Sequence, residues 1–148
     1  MNDHDIRARA RRIIDQAPMS VLTTLDEGGY PQSRTMWTPA VDDDFTVYFV
    51  TGRILEKCRQ ISANPRVCCF WTQIEDNALG GGYVCIKGEA RVTDEQQLRD
   101  RLWDDVLSQY FPGGKTDPNY VVVVVKPSEM TVMDNMQSHQ YPLDRLRF

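Results

Sequence analysis

One stretch of the chain combines residues that could bind phosphate. The apolar run 48–50 ends at Thr51 and Gly52, and a short helical pattern carrying Arg53 and Lys57 follows. The first turn of a helix has backbone N–H groups without internal partners and the positive end of the helix dipole, so it favours an anion. The Thr51 hydroxyl can cap the helix or bond a phosphate oxygen. The segment therefore predicts an anion socket; a Thr-capped helix with a solvated basic face is the alternative.

A second cation, Arg34, stands in the middle of a predicted strand and shares a face with Met36. Unless it faces solvent on an edge strand, such an arginine needs an anionic or carbonyl partner, and a phosphate would supply one. Two tryptophans, Trp37 and Trp71, also lie in predicted strands. Large aromatic residues in strands are typical of a core or a subunit interface, so cofactor contact is the second interpretation for both.

Composition indicates the class of protein. A chain of 148 residues with 41% hydrophobic and 26% charged residues fits one soluble globular domain over 1–148. A net charge of -4 argues against a general nucleic-acid binder, which needs a basic field, whereas a small anion needs only a local one. The N-terminal run is too charged for a secretory signal and no apolar stretch is long enough to span a membrane, so we expect a cytoplasmic protein.

Cysteine and histidine usage does not favour a metal site. The four cysteines form no C-x-x-C pair, and the two histidines lie near the chain ends. We expect reduced thiols, with the neighbours Cys68 and Cys69 on opposite faces of a strand.

The elements that must position these residues follow from periodicity. A helix over 3–17 places Ile6, Ala10, Ile13, Ile14 and Ala17 on one face and ends at Pro18. Strands are predicted over 19–25, 30–39, 46–51, 66–73, 83–92 and 120–125, with Gly28 and Gly29 in a hairpin turn. The short helix after Thr51 is expected to bury Ile54, Leu55, Cys58 and Ile61.

The second half predicts further boundaries. Strand 66–73 lacks alternation and is expected to be covered on both faces. A helix runs from an Asp94 cap, with Gln97 in a capping box, to Tyr110. The run Gly80–Gly82 is interpreted as a loop or bulge, because no lysine-bearing phosphate motif is present. Pro127 is expected to end a strand, 131–133 to form a short one, and 135–148 to be a polar tail. The fold class is mainly β: a six-stranded antiparallel split barrel (Greek key) flanked by helices.

The order of these signals resembles a known family. The motifs are Val21-Leu22-Thr23-Thr24-Leu25, Gly29-Tyr30-Pro31, Ser33-Arg34-Thr35-Met36-Trp37, Tyr48-Phe49-Val50-Thr51, Lys57, Asn64-Pro65-Arg66-Val67 and Gly88-Glu89-Ala90. In this order they resemble the pyridoxamine 5'-phosphate oxidase-like flavoproteins, and most closely the general-stress-protein-26-type branch. Each motif is weak alone; their order over residues 17–132 is specific.

The resemblance implies a split-barrel homodimer with FMN at the subunit interface. Arg34 matches an arginine that reaches the flavin phosphate or the ribityl chain, and Lys57 matches a lysine on the phosphate. Met36 and Trp37 match positions whose backbone lies along the ring. The implied contacts are Arg34, Thr35, Met36, Trp37, Val50, Thr51 and Lys57, with Trp71 and Gln73 coming from the second subunit. Arg53 has no match in the family.

Two departures limit what the resemblance implies. Glu56 stands where the vitamin B6 oxidases tend to carry a basic residue, and Asp144-Arg145 matches their substrate motif only superficially. We therefore expect an FMN-dependent oxidoreductase of an unidentified small molecule, without an assigned general acid or base. The alternatives are a non-catalytic flavin-binding or flavin-storage protein, a deazaflavin reductase, and a haem-binding relative with His139 as axial ligand.

Overall fold

The computed structural model describes residues 2–17, 19–74, 81–134 and 136–143. Over these ranges the chain forms three α-helices and eight strands. They are α1 Asp3–Gln16, β1 Ser20–Leu25, β2 Pro31–Met36, β3 Ala40–Val41, β4 Val47–Gly52, α2 Glu56–Ala63, β5 Arg66–Gln73, β6 Gly82–Thr93, α3 Gln96–Leu102, β7 Tyr120–Asp134 and β8 Gln137–Pro142. Two 3₁₀ turns, Asp105–Gln109 and Gly114–Thr116, lie between α3 and β7.

The strands form one sheet in the order β2-β1-β5-β6-β7-β4-β3, with β8 beside the second half of β7. Every pairing is antiparallel, which confirms the mainly β class with flanking helices. The number of strands was wrong, since the described residues form eight rather than six. Strand β3 has only two residues, and β8 occupies part of the expected polar tail, where Tyr141 is its one buried side chain. Neither segment has an apolar alternation that local sequence could reveal.

Strand β7 does not end at Pro127, contrary to the prediction. It continues to Asp134, and the expected short strand 131–133 is its second half. The register with β6 shifts between Lys87 and Gly88, opposite Pro127. Proline is tolerated within a sheet at such a bulge, and glycine at position 88 permits the close approach of the Lys126 carbonyl.

Helix α1 covers one face of the sheet as its periodicity predicted. Ile6, Ala10, Ile13 and Ile14 are buried, and the Asn2 side chain accepts a hydrogen bond from the Asp5 N–H at 2.9 Å. In β5 the side chains alternate: Val67, Cys69 and Trp71 point into the core, whereas Cys68 and Phe70 are half-buried on the other face. The expectation of two covered faces was wrong because the described residues build a core against only one face of this strand.

The helix expected over 94–110 is interrupted. Helix α3 ends at Leu102, and the Asp104 carboxylate begins a new turn by accepting from the Val106 N–H at 3.0 Å. The cap of α3 is Glu95 without a side-chain bond, since the Asp94 carboxylate lies 3.0 Å from the Arg53 guanidinium. The predicted capping box is therefore absent.

Several predictions fall on residues outside the described ranges. These are Pro18, Gly80, Asn135 and the segment 144–148. In the rest of the chain, none of the helices combines the length and the apolarity that crossing a bilayer requires. The same described ranges contain no cluster of three or more histidine, cysteine, aspartate or glutamate side chains suited to a metal ion.

Candidate functional site

Strands β2 and β4, helix α2 and the loop before β7 enclose a cavity of about 460 Å³. Six of the nine predicted cofactor residues line it: Thr35, Met36, Trp37, Val50, Thr51 and Lys57. The remaining lining residues are Gly52, Ile54, Leu55, Leu107, Tyr110, Phe111 and Asn119. The residues of the predicted anion socket and of the Arg34 strand therefore meet at one place, although 13 or more positions separate them in the chain.

Lys57 points toward the cavity from the first turn of α2. Its Nζ donates a hydrogen bond to the Thr51 Oγ1 at 3.2 Å. Capping of the helix, one of the two roles considered for Thr51, is not observed, because Thr51 lies within β4 and the N-cap is Leu55, which makes no side-chain cap bond. Partial burial lowers the pKa of Lys57, and the nearby positive charge of Arg34 lowers it further.

The turn between β4 and α2 is held by Asn119, which sequence reasoning missed. Its carbonyl accepts from the Arg53 N–H at 2.8 Å, and its side-chain oxygen accepts from the Ile54 N–H at 3.4 Å. Asn119 is positioned in turn by the Asp117 carboxylate, which accepts from the Asn119 N–H at 2.9 Å. The Asp-Pro-Asn sequence is typical of such a turn, but nothing local indicates that it would face residues 53 and 54.

Arg34, a predicted cofactor residue, is not among the residues that line this cavity, and it is bound to neutral acceptors. Its Nη1 donates to the Leu22 carbonyl at 3.1 Å and to the Thr24 Oγ1 at 2.8 Å, while Nη2 donates to the Gln60 Oε1 at 3.2 Å. The prediction that Arg34 shares a face with Met36 is confirmed by the burial pattern of β2. Burial lowers the pKa of the Arg34 guanidinium, and the negative charge of Glu56 opposes this shift.

Gln60 connects Arg34 to the rest of the site and was also missed. It is only 5% exposed, and its Nε2 donates to the Gln32 Oε1 at 2.8 Å. A glutamine next to Ile61, on the inner side of an amphipathic helix, was the available signal. Because a buried amide needs partners, its place between Arg34 and Gln32 explains why it is tolerated there.

The two cations have no carboxylate partner within the described ranges. The nearest acidic side chain in sequence, Glu56, lies 3.6 Å from the guanidinium of Arg59. No ion pair joins Arg34 or Lys57 to a described aspartate or glutamate. Two partly buried cations near each other are costly unless an anion accompanies them, so the site suits a phosphate group.

Apolar side chains form the other wall of the cavity. Trp37 is 39% exposed and Tyr110 is 68% exposed. Trp37 is therefore not a core residue of this chain, and its alternative position at a subunit interface stays a prediction. Ile54 and Leu55, expected on the buried face of the helix, are also exposed at the rim because α2 begins only at Glu56. A flat, largely apolar ring system fits such a surface better than a strongly polar ligand does.

Three predicted or considered residues lie elsewhere. Trp71 is 1% exposed and belongs to the main core, which confirms the core interpretation. Gln73 lies at the far end of β5, near Gly82, and its Oε1 is buried without a hydrogen-bond partner among the described residues. Arg53 is bound to Asp94 at 3.0 Å and to the Pro118 carbonyl at 2.9 Å, outside the cavity.

Comparisons with known proteins bear on the family and the fold of the chain. The curated relative General stress protein 26 of Bacillus subtilis (strain 168) is 29% identical over 134 residues, covering 90% of this chain and 92% of the relative. A solved Clostridium acetobutylicum protein related to general stress protein 26, of the pyridoxinephosphate oxidase family, superposes with a TM-score of 0.83 at 16% identity, over 99% of this chain and 100% of that one. A haem-binding protein of Mycobacterium smegmatis has a TM-score of 0.76 at 14% identity, over 97% of this chain and 60% of that one.

The last two similarities concern the fold alone, because their sequence identities are low. The sequence profile described as "Pyridoxamine 5'-phosphate oxidase" matches residues 6–134, which include every described residue of the cavity. The chain therefore belongs to the pyridoxamine 5'-phosphate oxidase family.

Proposed function

We propose that this chain binds FMN in the cavity between β2, β4 and α2 and acts as an FMN-dependent oxidoreductase on a small molecule. The observation that carries the proposal is that Lys57 lines an apolar cavity close enough to Arg34 to feel its charge, and neither cation has a carboxylate partner in the described chain. A flavin mononucleotide joins a phosphate to a flat ring system. The phosphate matches the side of the cavity with Lys57 and Thr51, and the ring system matches the apolar side. Members of the family commonly bind flavin.

Each part of the site has a distinct role in this proposal. Lys57 and Thr51 bind phosphate oxygens. Arg34 of β2 adds positive charge near them. Met36 and Trp37 lie along the ring, while Leu55 and Tyr110 shield it from water. When bound, the flavin supplies hydride or single-electron chemistry, and the protein orients it and controls access. We assign no general acid or base, since solvent can supply a proton.

A second copy of the chain completes the proposed site. Gln73 lies away from the cavity of its own chain, so any contact it makes with a flavin is with one bound to a partner copy. Trp71 lies in the core of its own chain and takes no part in this proposal. The exposed Trp37, Leu55 and Tyr110 give such a partner an apolar rim to cover. We therefore propose a homodimer, and gel filtration of the flavin-bound protein tests it. A fully loaded monomer would contradict the interface.

The binding proposal is tested with two ligands that differ only in phosphate. The protein is purified, its visible spectrum is recorded and the released chromophore is identified by mass. Ligand-free protein is then titrated with FMN and with riboflavin. We expect FMN to bind more tightly by about tenfold or more, because charge-assisted hydrogen bonds contribute ~1.5–3 kcal/mol. Equal affinities for FMN and riboflavin would show that Arg34 and Lys57 do not bind the phosphate. A deazaflavin in the released material would show that the cofactor is not FMN.

A separate assay distinguishes an enzyme from a flavin-storage protein. The FMN-loaded protein is mixed with NADH or NADPH and a panel of acceptors, and nicotinamide oxidation is followed. Steady-state turnover supports the oxidoreductase; bound FMN without turnover on any donor supports the binding protein. The haem alternative is not favoured by the geometry, since the Nε2 of His139 is buried within the sheet. A haem-type absorbance spectrum of the purified protein would reverse that conclusion.

A further inference from the structure

A pair of thiols lies outside the flavin cavity, on the half-buried face of β5 and β6. In the register of these strands, Cys68 is opposite Lys87 and Phe70 is opposite Cys85. Cys68 and Cys85 are therefore diagonal neighbours on one face, where their side chains can interact by a hydrogen bond. Both are free thiols and both are half-buried.

Cys68 also lines a cavity of about 460 Å³ that shares no lining residue with the flavin cavity. Thr23 contributes a hydroxyl to its wall, Arg66 and Lys87 contribute positive charge, and Glu89 contributes negative charge. Arg66 and Glu89 are opposite each other in the sheet, and Lys87 lies 3.7 Å from Glu129 of β7. Charges of both signs beside a thiol suit a small ligand that is itself zwitterionic.

The other cysteines do not line this cavity beside charged side chains. Cys69 is 0% exposed, and the Cys58 Sγ is buried against the Gly52 carbonyl at 3.4 Å. Burial raises the pKa of both thiols, which keeps them protonated and unreactive. Cys85 keeps its proton because it donates to Cys68, and this raises its own pKa.

The surroundings of Cys68 favour the thiolate. The hydrogen bond from the Cys85 thiol is the largest influence and lowers the pKa of Cys68; burial opposes it, and the charge of Lys87 lowers the pKa further. The other charged groups that line this cavity are Arg66 and Glu89. Glu129 does not line the cavity but forms an ion pair with Lys87. A thiolate that a ligand can approach is the reactive form of cysteine.

We propose that Cys68 is a site of reversible thiol–disulfide exchange with small zwitterionic disulfides, and that Cys85 is the residue that positions its thiolate. The Cys68 proton goes to solvent. The thiolate then attacks one sulfur of the disulfide, forming a new S–S bond while the old one breaks and the second sulfur leaves as a thiolate with the electron pair. The product is a mixed disulfide at Cys68, which a free thiol reverses.

The sheet geometry favours this product over a bond between Cys68 and Cys85. Diagonal neighbours on antiparallel strands have Cα atoms about 7–8 Å apart, whereas disulfides prefer about 4.4–6.8 Å. Closing the internal bond would require the two strands to shift, and their ladder of eight paired positions resists that. Cys85 therefore acts as a hydrogen-bond donor rather than as a resolving thiol.

The test uses glutathione disulfide as the probe and the purified full-length protein. Cys68, Cys69 and Cys85 lie between Arg66 and Lys87 without another lysine or arginine, so tandem mass spectrometry of that single tryptic peptide locates the adduct. We expect one glutathionyl group on Cys68, and its loss in Cys68→Ser. An adduct mainly on Cys58 or Cys69, or an internal Cys68–Cys85 disulfide as the main product, would overturn the proposal.

Matched variants test the role of Cys85. Cys85→Ala removes the donor and should slow the modification about three- to tenfold, whereas Cys85→Ser keeps a donor and should restore the rate. Equal rates in the two variants would exclude positioning by Cys85. Circular dichroism checks that both fold. In the wild type, the midpoint of iodoacetamide labelling of Cys68 should lie below pH ~8.5, the value of an ordinary thiol; a midpoint at or above it would contradict the proposal without any variant.

Discussion

The Nζ of Lys57 donates to the Oγ1 of Thr51 across a distance of 3.2 Å. This contact joins the end of β4 to the first turn of α2 and directs the ammonium group toward the cavity rather than toward solvent. The hydroxyl of Thr51 keeps its own proton for a ligand, because it acts as acceptor toward the lysine. The pair is therefore arranged as two adjacent donors for one anion.

Removal of either cation should weaken FMN binding. For Lys57→Ala and Arg34→Ala we expect a loss of affinity of about tenfold to a hundredfold each, since charged hydrogen bonds contribute ~1.5–3 kcal/mol. Riboflavin, which lacks the phosphate, should bind the variants and the wild type alike. Flavin fluorescence titration measures both ligands.

Arg53→Ala is the matched control for the two cation variants. Arg53 is close in sequence but bound to Asp94 and to the Pro118 carbonyl, so FMN affinity should change less than about twofold. A loss as large as that of Lys57→Ala would show that the phosphate lies nearer to Arg53 than the cavity implies.

Glu56 should oppose FMN binding. Its negative charge acts on Arg34 and would also repel a phosphate. We expect Glu56→Gln to tighten FMN binding about 1.4- to fivefold, the range for exposed charges that interact by ~0.2–1 kcal/mol. Glu95→Gln, an exposed carboxylate paired with Arg91, serves as the control. Weaker FMN binding by Glu56→Gln would contradict the assigned position of the phosphate.

Lys57 should lower the stability of the ligand-free protein. Its pKa is lowered in the folded chain, so between the folded value and the unfolded value of about 10.4 the unfolded state binds more protons and stability rises with pH. Below that window the charged lysine costs the folded state a constant amount. Lys57→Met should therefore raise the free energy of unfolding at pH 7 by up to about 1 kcal/mol.

The advantage of Lys57→Met should shrink as the pH approaches 10.4, because the wild-type lysine then loses its charge. Urea unfolding of both proteins across this range gives the difference directly. With saturating FMN at pH 7 the order should reverse, since ligand binding stabilises the wild type more. A difference that is independent of pH and of FMN would indicate that packing alone separates the two proteins.

The bulge at Gly88 should be intolerant of a side chain. A Cβ at this position would collide with the Lys126 carbonyl of β7, and the backbone cannot yield as a flexible side chain does. Gly88→Ala should cost about 1–3 kcal/mol of unfolding free energy. Gly28→Ala, whose Cβ would meet ordinary contacts at 3.4 Å, should change it by less than about 0.5 kcal/mol. Similar urea midpoints for the two variants would refute the packing argument.

Local patterns were sufficient for a large part of the fold. The 3.6-residue period identified α1 and its buried face, and Gly29 at φ 81° supports the predicted hairpin. Apolar runs bounded by turn residues located most strands within a few residues. The position of Arg34 on the Met36 face follows from spacing along one strand, and the apposition of Thr51 and Lys57 follows from the short turn between β4 and α2. These features depend on residues that are close in sequence, where pattern and structure are directly related.

The tertiary structure decided what depends on distant residues. The continuation of β7 through Pro127 needed the bulge at Gly88, and β8 needed the long β7 as a partner. Asn119 holds residues 53 and 54 across a separation of at least 65 positions, and Gln60 meets Arg34 from another element. No local signal encodes which backbone groups will face each other after the sheet forms. The sequence by itself determined the chemistry available to the site, and only the packed sheet decided which neutral groups hold its cations in place.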